Sequence, residues 1–116
     1  MKALSISNTI DVCGFYELDA TGAVLYFRPK QDGKFEKPDP SLIGLNFFEH
    51  AFVCQNSESL RHRFVNFVNT RSTTETFIFG CQVLEAYVPL RVMFVRVSEK
   101  NTIERKVLFY IDIKPE

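Results

Sequence analysis

Two short runs rich in β-branched, aromatic and other apolar residues, Phe15 to Leu18 and Val24 to Phe27, lie on either side of D-A-T-G. Asp19 and Gly22 suit a tight turn, so the pattern predicts a β-hairpin, with Pro29 ending its second strand. Residues 28–40, R-P-K-Q-D-G-K-F-E-K-P-D-P, are polar and rich in proline, which excludes a regular helix or a central strand there. P-D-P-S-L-I-G then reads as a capped turn, with Asp39 or Ser41 at its start, Leu42 and Ile43 inward and Gly44 as the exit. N-F-F-E-H-A-F follows as a short helix that buries Phe47, Phe48 and Ala51 or Phe52, and V-C-Q-N as a loop.

The period changes after that loop. Leu60, Phe64, Phe67 and Val68 recur at i, i+4, i+7 and i+8, one face of an amphipathic helix. Asn56 or Ser57 is its expected N-cap, Glu58 suits the dipole of its first turn, and Arg61, Arg63 and Arg71 fall on the outer face. Strand patterns return in T-T-E-T-F-I-F-G-C-Q-V-L, where Gly80 suggests a bulge. In Y-V-P-L-R-V-M-F-V-R-V-S, Leu90, Val92 and Phe94 oppose Arg91, Met93 and Val95. After the turn S-E-K-N-T, the last strand sets Val107, Phe109 and Ile111 against Leu108, Tyr110 and Asp112. Residues 1–13, with Leu4, Ile6, Ile10 and Val12, read as an N-terminal arm or cap, helical or extended, that packs across the domain or onto a partner. Residues 14–116 form one domain.

Composition narrows the class. A chain of 116 residues, 46% apolar and 24% charged, builds one soluble core. Its 12 phenylalanines carry no polar handle and belong in that core. With 14 basic and 14 acidic residues there is no basic face for phosphates, so nucleic acid is not an expected partner. A net charge of zero suits a protein that associates with something. No apolar run reaches a membrane span and no signal peptide is seen, so the expected location is cytoplasmic, without a membrane partner. Cys13, Cys54 and Cys81 are odd in number and widely spaced, which predicts reduced thiols and neither a zinc site nor a disulfide framework. Cys54 reads either as a reactive loop thiol or as a small residue packed in a corner. His50 and His62 read as solvent-facing or core-edge residues, and Glu36, Glu49 and Glu58 as solvated.

The order of elements, two strands, short helices, one longer helix and three strands, resembles the PAS fold. The resemblance narrows at L-D-A-T-G-A-V-L, at I-G-L-N-F-F, at the cysteine six residues beyond the second Phe, and at E-x-x-x-x-R-F from Glu58 to Phe64. These motifs are similar to those of the photoactive yellow protein subfamily. The resemblance implies an α+β PAS fold: a five-stranded antiparallel sheet, spatial order 2-1-5-4-3, with short helices and one longer helix on one face. In that subfamily the loop cysteine carries p-coumaric acid as a thioester. A tyrosine and a protonated glutamic acid hold its phenolate, a threonine supports them and an arginine covers the pocket. The resemblance places the cysteine at Cys54, the tyrosine at Phe27, the glutamic acid at Gln31, the threonine at Phe35 and the arginine at Lys37, with Phe47 on the wall. Phe27 lacks the hydroxyl and Gln31 cannot lose a proton, so the phenolate site is incomplete.

The function implied is a non-enzymatic bacterial sensory module that signals through a protein partner or a homodimer. A small ligand in the cavity is compatible with it, and no cofactor is expected. The alternative is a photoreceptor with p-coumaric acid on Cys54. A small enzyme on a cone-shaped α+β fold would need a carboxylate or His–Asp pair in its cavity, and none is visible. Because the chain ends soon after its last strand, the expected output is another chain, unless the sequence is a domain excised from a longer protein.

Overall fold

The computed structural model describes residues 13–31, 33–52, 54–97 and 106–113. The expected arm and the turn before the last strand fall in 1–12 and 98–105, outside the described residues. Six strands form one antiparallel sheet: β1 (Gly14–Asp19), β2 (Val24–Gln31), β3 (Lys34–Phe35), β4 (Thr74–Val83), β5 (Ala86–Val97) and β6 (Lys106–Ile113), in the order β3-β2-β1-β6-β5-β4. Without the two-residue β3, this is the expected five-stranded order. The extra strand extends the edge beside β2, where Lys30 and Gln31 pair with Phe35 and Lys34.

The β1–β2 hairpin forms where the two β-rich runs and the D-A-T-G turn place it. Asp19 accepts from the Thr21 and Ala23 amides through Oδ1, and the Gly22 amide donates to its carbonyl. Gly22 takes φ +95, a left-handed backbone that a side chain would strain. Two expectations shift here. β2 does not end at Pro29 but runs on to Gln31, with Pro29 opposite Gly14. The Lys30 amide donates to Cys13 on the β1 side, so the missing Pro29 N–H faces away from β1 and breaks no bond to it. The bulge lies in β2 and not at Gly80. Glu17 pairs with Tyr26 but Leu18 with Val24, so Leu25 is the extra residue and both Val24 and Phe27 point inward. Gly80 pairs in unbroken register with Pro89.

The connecting segment builds two helical turns before the one α-helix among the described residues. A 3-10 turn, Pro40–Leu42, is capped by Asp39, whose side chain accepts from the Ser41 amide at 2.9 Å. Gly44 leaves it with φ +87. Leu42 packs on the core as expected, but Ile43 is 46% exposed, because the short turn directs only one of the pair inward. A π-helical turn, Phe47–Ala51, buries Phe47 and Phe48, and the following Phe52 is buried too. α1 (Ser57–Val68) buries the expected Leu60, Phe64, Phe67 and Val68 against the sheet. Its C-terminal end is closed from β5: the Arg96 guanidinium donates to the Phe67 and Thr70 carbonyls at 2.7 Å and to the Ser72 carbonyl at 3.0 Å.

The core is a stack of rings between α1, the π-helical turn and the inner sheet face. Phe109 lies at its centre, within 6.3 Å of the rings of Tyr16, Phe47, Phe48, Phe64 and Phe94. No helix of the described residues is long and apolar enough to cross a membrane.

Candidate functional site

The corner between the π-helical turn and α1 holds Cys54. Asn46 starts the corner. Its Oδ1 accepts from the Phe48 and Glu49 amides, and its Nδ2 donates to the Thr21 carbonyl in the hairpin turn. Phe47 is thereby fixed with its ring fully buried, 4.7 Å from Tyr16 and 5.4 Å from Phe52. Phe52 touches Phe79 of β4 at 5.9 Å and carries the chain across to that strand.

There the expectation of reduced thiols fails. Cys54 and Cys81 are joined as a disulfide, with Cα atoms 5.3 Å apart, and both are buried. They lie 27 positions apart, with all of α1 between them. Spacing alone could not pair them, because their proximity is made by folding α1 back over β4. Cys81 itself points inward because it stands two and four residues beyond Phe79 and Phe77, on the same face of β4.

The loop is tied to β4 beyond its sulfurs. The Gln55 amide donates to the Gln82 carbonyl at 2.8 Å. Asn56 Nδ2 donates to the Gly80 carbonyl at 2.8 Å, and its Oδ1 accepts from the Gln82 amide at 3.0 Å. Asn56 is the N-cap of α1 by position, but its side chain makes no cap bond because both of its polar atoms are used on β4. This docking role is what sequence reasoning missed. The signal available, Asn before Ser-Glu, is the same for either role.

The six site positions do not converge. Phe27, Phe47 and Cys54 share the hydrophobic core, where Phe27 stacks on Tyr16 at 4.5 Å and 16°. Gln31 and Lys37 are exposed. Phe35 is 43% exposed and its ring lies 6.1 Å from that of Tyr110, on the sheet face opposite Phe27. Placed this way, the residues do not fit a thioester-linked phenol. The thiol is spent in a disulfide, Phe27 offers no hydroxyl, and the other expected partners lie at the surface or beyond the sheet. His50 and His62 are exposed, and no group of three metal-ligating side chains occurs among the described residues.

The outer sheet face has its own cluster. Lys30 Nζ donates to the Tyr110 hydroxyl at 2.6 Å and to Asp112 at 2.7 Å, and the Tyr110 hydroxyl donates to Asp112 at 3.0 Å. The Asp112 bond, then the Tyr110 bond, raise the Lys30 pKa. Burial pushes the Asp112 carboxyl up, but its hydrogen bonds from Lys30, Tyr110 and the Ile113 amide outweigh burial and hold it below the usual range. Beside the cluster, Phe15, Met93, Val95, Leu108 and Tyr110 line a shallow apolar depression.

Solved structures share this architecture. The PAS domain of BvgS from Bordetella pertussis superimposes with a TM-score of 0.63 over 92% of this chain and 82% of its own, at 10% identity. The fold is the PAS fold. The photoactive yellow protein domain of the sensor histidine kinase Ppr from Rhodospirillum centenum matches the PAS fold here with a TM-score of 0.57, covering 88% of this chain and 94% of its own, at 16% identity. The Drosophila melanogaster Cycle PAS-B domain gives 0.52, over 87% and 99%, at 15% identity. In sequence the chain is similar to photoactive yellow protein from Halochromatium salexigens, 28% identical over 88 residues that cover 74% of this chain and 70% of that protein. No family model matches the chain.

Proposed function

We propose that this PAS fold is a non-enzymatic sensory and signalling module that acts by protein–protein contact through the outer face of its sheet, with a second copy of the chain as the partner. The apolar depression carries this reading. Among the described residues the helices all lie on the other side of the sheet, and an antiparallel sheet covered on one side ordinarily alternates apolar-in and polar-out, yet Phe15, Met93, Val95 and Leu108 put apolar side chains on the outer side. The zero net charge favours contact between identical chains, since no excess of one sign must be brought together. A cytoplasmic location belongs to the same reading. Light scattering after size exclusion tests it: the native chain runs as a dimer, and Val95→Glu or Leu108→Glu runs as a monomer with an unchanged circular dichroism spectrum. A native chain that is monomeric at all concentrations overturns self-association.

A photoreceptor with p-coumaric acid on Cys54 is the second reading, supported by the likeness to photoactive yellow protein. Incubation of the reduced protein with an activated p-coumaroyl ester tests it. A mass increase on Cys54 with a visible absorption band supports it, and the absence of both removes it.

A further inference from the structure

We propose that Cys54 and Cys81 form a reversible dithiol–disulfide couple that locks and releases the start of α1 on β4, so that the position casts a redox signal instead of holding a chromophore. The proposal deepens the signalling reading by naming its input. The couple is measured without a partner, so the two stand or fall separately.

Three features of the corner carry it. First, a switch needs both states folded. Phe47, Phe52, Leu60 and Phe64 share the buried core with the two cysteines, and reduction removes none of these side chains, so the same apolar surface stays available to hold the core. Second, the loop keeps its other ties to β4 when the bond is cut. The Gln55–Gln82 bond and both Asn56 bonds run between the same two segments as the sulfurs. They hold the released thiols opposite each other, which favours closing the bond again over reaction with an outside thiol. Third, the bond spans all of α1 and ends next to the first turn of that helix, so cutting it removes the one covalent tie there. What remains at the start of α1 is a set of hydrogen bonds that open locally far more readily than a disulfide.

The step is a two-electron exchange. A small thiol attacks one sulfur as thiolate, giving a mixed disulfide and one free cysteine. A second small thiol then attacks the small-molecule sulfur of that mixed disulfide and displaces the protein cysteine as thiolate, leaving Cys54 and Cys81 as thiols and the two small molecules joined as their own disulfide. Re-oxidation by a small-molecule disulfide runs the same path backwards. Cys54 is 4% and Cys81 0% exposed, so either direction waits for the loop to open. The rate therefore levels off at high reductant instead of rising in proportion to it.

The test uses the full chain carrying Cys13→Ser, equilibrated in glutathione buffers of graded ratio, quenched, alkylated and weighed. Cys54 and Cys81 gain label together, the circular dichroism spectrum stays native, and amide exchange at Gln55 and Asn56 speeds up about tenfold on reduction while that of β5 does not change. Asn56→Ala shifts the balance toward the dithiol about tenfold, because it loosens the alignment that closes the bond. The proposal fails if both cysteines label freely in oxidising buffer. It fails also if the pair is reduced only when the protein unfolds, which makes the bond a staple, or if exchange at the loop is the same in both states.

Discussion

Asn46 and Asn56 each stand immediately before a helical element, and each uses both polar atoms of its amide, yet the two do different work. Asn46 turns inward on its own segment: its oxygen caps the Phe48 and Glu49 amides, and only its nitrogen reaches out, to the hairpin. Asn56 ignores the helix it precedes and spends both atoms on β4. The first corner is closed by local capping, the second by attachment to a strand far away in sequence. A residue's place before a helix therefore sets what it can cap, and what lies across from it sets what it does.

The sharpest way to break the first corner is Phe47→Ala. Phe47 is fully buried among Tyr16, Phe52 and Phe109, so a loss of about 3–5 kcal/mol is expected, read as a shift in the urea midpoint. The two asparagines are compared directly by changing each to Asp. At 46 the carboxylate loses the exposed bond to the Thr21 carbonyl but still accepts from two amides at the start of a helical turn, and the cost is below about 1 kcal/mol. At 56 it can no longer donate and sets a negative charge against the Gly80 carbonyl, costing about 1–3 kcal/mol. Equal losses at the two positions would erase the distinction between capping and docking.

The smallest effect is expected away from both corners, at the Lys30–Tyr110–Asp112 cluster. Asp112, like Asp19, is held below the usual carboxylate value. For Asp19 burial pushes upward, and the hydrogen bonds from Thr21 and the turn amides exceed it. Both contribute stability that is present above the unfolded value near 3.8 and lost as the pH falls through their lower native values. Lys30 is raised, so its contribution is whole below 10.5 and lost as the pH climbs through its native value. Asp112→Asn should flatten part of the acid limb of a Tm-against-pH curve, by no more than about 1 kcal/mol because water screens the pair.

Much of the fold could be read from local pattern. The Asp19–Gly22 turn, the four buried positions of α1 and the inward sets Leu90, Val92, Phe94 and Val107, Phe109, Ile111 all follow from periodicity. The candidate site was less legible. Phe27 and Phe47 are in the core, but Phe35 and Gln31 are not, because the bulge at Leu25 and the short β3 decide which face each residue meets. The turn between β4 and β5 gave no warning either. It is made by Leu84, which takes φ +55 and is 76% exposed, where glycine or asparagine would be the ordinary signal.

By itself the sequence determined the order and kind of elements and the rings that fill the core, since these depend on side-chain period and on residues that start or stop a turn. Only the tertiary structure decided that Cys54 meets Cys81 and that Asn56 serves β4. Both are contacts between segments separated by all of α1, and no local preference records which distant strand a helix will lie across.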